Sequence, residues 1–358
     1  MNHPIRIAVA GLGRMGSIHA LHVHELAAET GKCTLAALCN GSVKKAEQFA
    51  AENGYHVPVF GSVEDLARAQ VADATVIATS TAYHRAHATT LIASGQRVLL
   101  EKPMTESYET DLEFAAELDR DHPHALMLAF QRRFDPALQF ARELVSGGSI
   151  GRVFKIYSAM EDSGPAPDGF KSGGILVDMS VHNVDEVLWL TGKMPRAALK
   201  IGSNLYSHAL STCEEDFDDA MLYLWFDGDL AAEIQVGRNH VCGYRTETVI
   251  YGEGGQIQVD RFQQNPREVV VAAYGRRGAK QPLARRSFAM RDYGRPLAEF
   301  IDRFGFAYKA ELAAFVECCR SGEPFPVSQG DSVRAQQVIR AGMQSHLTPG
   351  AITPAADA

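Results

Sequence analysis

The sequence predicts an α/β chain that begins with a doubly wound parallel sheet and continues into an α+β domain with a large open, mainly antiparallel sheet. Up to about residue 130, short strands that are apolar on both faces alternate with helical patterns, which is typical of a parallel sheet covered by helices. Beyond that point strands follow one another directly, with hairpin signals at Asp227-Gly228 and Gly254-Gly255. We therefore divide the chain into residues 1–130, residues 131–346 and a loose tail at 347–358.

The first part contains six predicted strands and five predicted helices. Each strand is a short apolar run, and each helix shows the wider spacing of apolar residues that one buried face requires. The strands are 5–10, 34–39, 57–60, 74–78, 97–100 and 125–130, and the helices are 15–30, 43–53, 62–68, 84–94 and 106–121.

The second part contains seven predicted strands and only two strong helical patterns. The strands are 153–160, 197–205, 219–226, 230–238, 247–251, 255–260 and 268–274, and the helices are 174–190 and 292–320. Too few helices follow residue 190 to cover both faces of such a sheet, and monomers rarely expose a large apolar face. We therefore expect a homo-oligomer, either a dimer or a tetramer.

Composition excludes several classes of protein. The chain has 358 residues, 46% of them hydrophobic, and a net charge of −8, so neither disorder nor binding to nucleic acid or an anionic membrane is favoured. Since apolar runs fall short of the ~18–20 residues of a membrane span and the N-terminus lacks a secretory pattern, we expect a cytoplasmic protein. The six cysteines form no CxxC pair and have no histidines at zinc spacing, which predicts free thiols and no metal site.

A glycine-rich hexapeptide follows the first strand and opens the first helix. Gly11-Leu12-Gly13-Arg14-Met15-Gly16 fits the pattern G-x-G-x-x-G, in which the glycines allow a tight turn, close approach to a pyrophosphate and close packing of helix on strand. The helix N-terminus offers N–H groups and a partial positive charge to phosphates. The alternative is a glycine turn without a ligand, but the strand–loop–helix context favours a Rossmann-type dinucleotide-binding domain over residues 1–130.

The end of the second strand leaves the choice between NAD and NADP open. An acidic residue at this position usually binds the ribose hydroxyls of NAD, but this chain has Asn40 there. Asn40 does not repel a 2′-phosphate, and Ser42, Lys44 and Lys45 could accept one, although lysines at a helix start usually form a solvated face. We expect NAD or NADP, with NAD slightly favoured.

Two further groups of residues are candidates for the catalytic groups. Lys102, in Glu101-Lys102-Pro103, ends the fifth strand, where ligands of open parallel sheets bind, and its ammonium could stabilise charge on a substrate oxygen. Asp178, His182 and Asp185 form one polar stripe on a helix at the spacing i, i+4, i+7. A carboxylate beside an imidazole orients the ring and raises its basicity. The alternative is that Asp178 caps the helix and His182 is a core histidine.

These motifs together resemble the glucose–fructose oxidoreductase, inositol dehydrogenase and rhizopine-catabolism superfamily. The resemblance runs from residue 5 to about residue 340, through G-x-G-x-x-G, Glu-Lys-Pro and Gly-Gly-x-x-x-Asp-x-x-x-His. Within the superfamily, the chain is similar to the myo-inositol 2-dehydrogenase branch. The segments that carry this similarity are residues 130–135, 173–182 and 304–308.

The resemblance implies roles for individual residues. His182 would be the general base, Lys102 would stabilise the alkoxide and Asp178 would orient them. The implied substrate contacts are Arg132, Asp185 and Tyr308. The implied cofactor contacts are Gly11, Leu12, Gly13, Arg14, Met15, Gly16, Asn40, Thr79, Ser80, His84, Glu101, Lys102 and Gln131. Three of these regions depart from the family pattern: Ser80-Thr81 replaces a Pro-Asn pair, Asn40 replaces an aspartate and Gln131 replaces a methionine.

The predicted function is an NAD(P)-dependent dehydrogenase that acts on a ring hydroxyl of an uncharged cyclic polyol or sugar, with an inositol as the first expectation. Residues 131–346 would bind the substrate and form the oligomer. One alternative is an NADP-dependent sugar or keto-inositol reductase. Another is a catalytically inactive dinucleotide-binding regulator, against which the intact set of Lys102, Asp178 and His182 argues.

Overall fold

The N-terminal part of the chain forms a six-stranded parallel sheet. In the computed structural model, which describes residues 3–164, 173–205, 216–260, 267–276 and 281–345, the sheet order is β3-β2-β1-β4-β5-β6. The strands are β1 Ile5–Ala10, β2 Cys33–Cys39, β3 Val59–Phe60, β4 Ala74–Ile77, β5 Arg97–Glu101 and β6 Leu126–Ala129. The predicted doubly wound parallel sheet is confirmed. Because the order reverses between β1 and β4, their carboxyl ends form the switch point at which such sheets bind ligands.

Five helices connect these strands. They are α1 Arg14–Thr30, α2 Val43–Glu52, α3 Val63–Ala69, α4 His84–Ala93 and α5 Tyr108–Asp121. Three of them begin at a serine whose hydroxyl accepts a first-turn N–H: Ser42 for α2, Ser62 for α3 and Ser107 for α5. By contrast, α1 begins at Gly13, which has no side chain with which to cap the helix.

Residues 304–333 pack with residues up to 135 as the first of two compact units. Helix α8, Glu299–Ser321, supplies Phe315, whose ring stacks on Phe325 with 5.3 Å between centroids. The carbonyl of Val327 accepts a 3.3 Å hydrogen bond from the N–H of Leu128 in β6. The predicted second domain, residues 131–346, includes this segment, because periodicity predicts a buried helix face but not the surface that covers it. The division at residue 130 stays a prediction.

A buried carboxylate links three segments of the first unit. Asp111 of α5 accepts hydrogen bonds from the Thr105 hydroxyl at 2.6 Å and the Ser332 hydroxyl at 2.7 Å. Desolvation by burial raises the pKa of Asp111 from its ordinary value of 3.8 to about 6, although both hydroxyl bonds oppose this shift. Since the folded protein binds this proton more tightly than the unfolded chain, the stabilisation is complete below pH 4 and is lost as the pH rises through 6.

Asp111→Asn cannot ionise, so the free energy of unfolding of the wild type relative to this variant should fall as the pH rises from 4 to 6. The rise in the pKa of Asp111 corresponds to about 3 kcal/mol of unfolding free energy, at 1.36 kcal/mol per pKa unit. Urea unfolding of both proteins across this pH range measures the difference. A difference that stays constant with pH would contradict the prediction.

The second unit contains the described residues between 136 and 303 and between 334 and 345, and its centre is an eight-stranded sheet. The strands are β7 Val153–Glu161, β8 Ala197–Ser203, β9 Asp219–Trp225, β10 Ala231–Gly237, β11 Arg245–Gly252, β12 Gly255–Val259, β13 Glu268–Gly275 and β14 Ala284–Ala289. Their order is β14-β13-β12-β11-β7-β10-β9-β8, and every pair is antiparallel except β7 with β10. The predicted mainly antiparallel sheet is confirmed.

The remaining helices are α6 Pro136–Ser146, α7 Val181–Thr191 and α9 Gln329–Gln344, with a π-helical turn at Leu176–Ser180 directly before α7. Glu186 of α7 accepts hydrogen bonds from Ser158 and Thr248, so α7 covers one face of the sheet. Within the described residues, no helix combines the length and hydropathy that crossing a membrane requires.

Several elements differ from the sequence predictions. Helix α6 was not predicted. The edge strand β14 was not predicted either, because it is short and carries two arginines, as edge strands often carry charge. Helix α8 begins at Glu299 rather than at residue 292, because Gly294 adopts a φ of +66° and Pro296 follows it. The described cysteines are free, while Cys213 and the predicted tail at 347–358 lie outside the described residues.

Candidate active site

The glycine loop lies at the switch point of the first sheet, and two of its glycines cannot be replaced. Gly11 has a φ of +88°, and a Cβ there would lie 2.6 Å from the carbonyl oxygen of Ala78, just beyond β4. A Cβ on Gly16 would lie 1.6 Å from the carbonyl oxygen of Gly11. Both positions therefore require glycine for the close packing of α1 against the ends of β1 and β4.

Gly13 is different, because a Cβ there would meet no heavy atom of the described residues within 4 Å. The open space lies at the N-terminus of α1, where the first-turn N–H groups of a helix lack intrahelical acceptors and carry a partial positive charge. A pyrophosphate needs this combination of backbone donors and room for close approach. The loop from Gly11 to Gly16 thus fits a dinucleotide cofactor.

Asn40, directly after β2, lies beside this loop. Its Oδ1 accepts a 3.2 Å hydrogen bond from the N–H of Leu12, and its Nδ2 donates to the carbonyl of Ser42 at 3.1 Å. The amide therefore connects the end of β2 to the glycine loop and to the residue that caps α2. An aspartate could keep the bond to Leu12 but would place a negative charge next to the Ser42 carbonyl.

The residues after β4 approach the segment after β5. His84, only 1% exposed, lies with Nδ1 2.9 Å from the carbonyl oxygen of Pro103 and Nε2 3.0 Å from that of Thr79. Desolvation by burial lowers the pKa of His84 below its ordinary value, despite both carbonyl contacts. Thr79 also contacts His87 through its hydroxyl, with 3.1 Å between Oγ1 and Nδ1.

Lys102 directly follows a buried carboxylate. Glu101, the last residue of β5, contacts Nε2 of His19 through Oε1 at 2.7 Å and accepts the N–H of Lys102 at 3.2 Å through Oε2. Burial alone would raise the pKa of Glu101, but the hydrogen bond from His19 and nearby positive charges hold it below its ordinary value. His19 is fully buried in α1. The following peptide bond, to Pro103, is cis.

Three other predicted residues are buried in the same unit. Gln131 and Arg132 lie in a short 3₁₀ turn after β6, and the guanidinium of Arg132 lies 5.3 Å from the ring centroid of Phe304 in α8. Tyr308 meets the ring of His19 edge-on, with 6.1 Å between centroids. The structure therefore gathers the two predicted substrate contacts of the first unit near β6 and α8.

Asp178 occupies the π-helical turn of the second unit. Its Oδ2 lies 3.0 Å from Nη2 of Arg238, whose side chain is 1% exposed, while Asp178 remains 21% exposed. The turn is held at its start by the bond from the Ile175 N–H to Asp216, at 2.7 Å. The N–H of Asp178 already donates to the carbonyl of Gly174 at 3.0 Å, so Asp178 lies inside the helical segment and the interpretation of Asp178 as a helix cap is wrong.

His182 and Asp185 lie on α7 itself. The expected regular stripe from 174 to 190 is interrupted, because Asp178 belongs to the wider π-helical turn and α-helical geometry starts at Val181. π-Helical turns inside helices occur frequently at functional sites. His182 is half-buried and is not a fully enclosed core histidine, whereas Asp185 is 1% exposed.

Arg238 is the functional candidate that sequence reasoning missed. It directly follows β10, and its N–H donates to the carbonyl of Asp218 at 2.8 Å, which fixes the backbone from which the side chain reaches Asp178. A charged residue at the end of a buried strand is a usable signal. That signal does not show that Arg238 pairs with Asp178, because the two residues are 60 positions apart in the chain.

Comparison with known proteins identifies the family. Residues 5–129 match the oxidoreductase family with an NAD-binding Rossmann fold, and residues 142–350 match the C-terminal α/β domain of that family. The chain is 28% identical to scyllo-inositol 2-dehydrogenase (NAD⁺) of Bacillus subtilis, covering 97% of both chains. It is 26% identical to myo-inositol 2-dehydrogenase of Thermotoga maritima, covering 92% of this chain and 93% of that one.

A solved structure agrees with these relatives. The myo-inositol dehydrogenase of Corynebacterium glutamicum superposes with a TM-score of 0.80 at 25% identity, over 96% of this chain and 97% of that one. The resemblance found in the sequence motifs is thereby confirmed, and the chain belongs to the Gfo/Idh/MocA oxidoreductase family.

Proposed function

We propose that the protein is an NAD(P)-dependent cytoplasmic dehydrogenase that oxidises a ring hydroxyl of an uncharged cyclic polyol, with myo-inositol and scyllo-inositol as the first substrates to test. The observation that supports the proposal most directly is the open space at Gly13. It lies at the N-terminus of α1, between Gly11 and Gly16, which cannot be replaced. The inositol dehydrogenases among the relatives support the substrate class. Absorbance of reduced nicotinamide, measured with a panel of polyols and both cofactors, tests it.

His182 is the proposed general base, which takes the proton from the hydroxyl that is oxidised. Imidazole suits this role near neutral pH. The Lys102 ammonium stabilises the negative charge that develops on the oxygen. Asp178, itself oriented by Arg238, orients the reacting groups. When bound, the nicotinamide supplies the acceptor for the hydride from the carbinol carbon.

The proposed substrate contacts favour a neutral polyol. Arg132, Asp185 and Tyr308 supply donors and acceptors for ring hydroxyls, each of which needs a partner once water is excluded. One predicted arginine stands among them, whereas a phosphorylated sugar would require a cluster of basic residues. A strong preference for a phosphosugar, or for a simple aliphatic alcohol, over every inositol and pyranose would overturn this assignment.

Residues 11–16 are proposed to bind the pyrophosphate of the cofactor. The rest of the dinucleotide is proposed to contact Asn40, Thr79, Ser80, Glu101, Lys102 and Gln131. His84 belongs to the same prediction, but both of its ring nitrogens face backbone carbonyls.

Asn40→Asp should shift the preference toward NAD, because a carboxylate beside the glycine loop would repel a 2′-phosphate and bind the ribose hydroxyls. We expect the ratio of kcat/KM with NAD to that with NADP to rise about tenfold, equivalent to about 1.4 kcal/mol. Asn53→Asp, at the other end of α2, adds the same charge away from the loop and should leave the ratio unchanged. An unchanged ratio in Asn40→Asp would place the specificity elsewhere.

We also propose that the second sheet packs against another copy of the chain. The face opposite α7 exposes Met221 by 38% and Trp225 by 37%, and Ile201, the cross-strand partner of Met221, by 47%. An apolar row of this kind across neighbouring strands is typical of an interface. Light scattering at micromolar concentration should therefore show a dimer or tetramer, and a monodisperse monomer would contradict the proposal.

A further inference from the structure

Two buried histidines approach the backbone of Lys102 from different helices. His19 of α1 contacts the Glu101 carboxylate at 2.7 Å, and the other oxygen of that carboxylate accepts the Lys102 N–H at 3.2 Å. On the C-terminal side of Lys102, Nδ1 of His84 lies 2.9 Å from the carbonyl oxygen of Pro103. The lysine backbone is thus connected to an imidazole on each side.

We infer that His84 and His19 are positioning residues for Lys102: they fix the backbone of residues 101–103 and thereby the direction of the ammonium. This inference rests on the proposed function of Lys102. It gives His84 a role different from the cofactor contact that the sequence resemblance implied.

The chemistry of the His84 ring separates a contact that supports Pro103 from one that supports Thr79. A carbonyl oxygen can only accept, and a neutral imidazole has one N–H, so the ring donates to either Pro103 or Thr79 but not to both. Burial lowers the pKa of His84, which favours the neutral ring. A positioning role for Lys102 requires donation from Nδ1 to Pro103, whereas donation from Nε2 would support Thr79 at the end of β4.

Two amide side chains reproduce the two halves of the imidazole. Asparagine places an N–H₂ group near the position of Nδ1, and glutamine places one near the position of Nε2. His84→Asn should therefore keep the bond to Pro103, and His84→Gln should keep only the bond to Thr79. Both variants are polar and of similar volume, which limits the damage to folding that His84→Ala could cause.

We expect His84→Gln and His84→Ala to lower kcat by about 10–100-fold, the cost of displacing a reacting group by about 1 Å. His84→Asn should recover most of the wild-type kcat. The Kd of NADH, measured by fluorescence, should change much less than kcat in all three variants, because Lys102 is only one of the proposed cofactor contacts and the glycine loop is intact. For His19, whose contact uses Nε2, glutamine should preserve kcat and alanine should lower it.

A double-mutant cycle completes the test. In a Lys102→Met background, assayed at high enzyme concentration with the polyol that the wild type oxidises, His84→Gln should cause no further loss of kcat. A weaker Kd for NADH with kcat retained at saturation would show that His84 binds the cofactor and would overturn the inference. A loss that persists in the Lys102→Met background would overturn it as well, since His84 would then not act through Lys102. Full activity of Lys102→Met alone would instead overturn the proposed role of Lys102.

Discussion

His182→Ala is expected to lower kcat for polyol oxidation by about 10²–10⁴-fold, the usual contribution of a general base. No other group is proposed to accept the hydroxyl proton, so the loss should appear with every polyol that the wild type oxidises. Steady-state kinetics with saturating cofactor measures it. Cofactor binding should be retained, because the glycine loop belongs to the first unit and His182 to the second.

His122→Ala is a suitable control for this variant. His122 is an exposed histidine at the end of α5, and no role in the reaction is proposed for it. It should leave kcat and the Kd of NADH at their wild-type values. Turnover of His182→Ala near the wild-type rate at neutral pH would show that the base is another residue.

Arg238→Met should destabilise the protein strongly, because it removes one member of the buried ion pair between Arg238 and Asp178. Breaking a buried ion pair by removing one member typically costs 3–5 kcal/mol. Asp178 keeps 21% of its side chain exposed, so we expect a value of about 3 kcal/mol, at the low end of that range. Chemical unfolding at neutral pH measures the change, and kcat should fall together with the orientation of Asp178.

The double variant Arg238→Met/Asp178→Asn separates the lost pair from lost packing. Because no uncompensated charge remains, it should recover a large part of the unfolding free energy while staying inactive. An Arg238→Met single variant with wild-type stability and wild-type kcat would show that the ion pair matters neither to the fold nor to the reaction.

The parts of the site that lie within one short segment could be predicted from the sequence. The loop from Gly11 to Gly16 could be identified from its glycines and from the strand and helix on either side of it, since the close approaches at Gly11 and Gly16 exclude any side chain. Lys102 could be placed at a sheet edge because a buried strand ends just before it. Both predictions rest on local geometry that the sequence encodes directly.

What the sequence could not provide are contacts between distant segments. The pairs Arg238 with Asp178 and His19 with Glu101 join residues 60 and 82 positions apart, and only the finished sheets bring them together. The π-helical turn at Leu176–Ser180 escaped prediction for another reason. Its residues have ordinary helical periodicity, and the contact at its start, from the Ile175 N–H to the Asp216 carboxylate, joins residues 41 positions apart.

The return of residues 304–333 to the first unit bears on how the chain folds during synthesis. Arg133 pairs with Asp331 at 2.8 Å across 198 residues of sequence, and Ser332 reaches Asp111 across 221. At about 5–20 residues per second, the ribosome needs roughly 10–40 s to make the intervening chain.

Until that chain is made, β6, an edge strand of the first sheet, lacks the carbonyl of Val327 to which its Leu128 N–H donates in the folded protein. The nascent Rossmann unit therefore spends this interval with an unprotected edge, a state in which strand pairing with other chains competes with folding and holdase chaperones have a substrate.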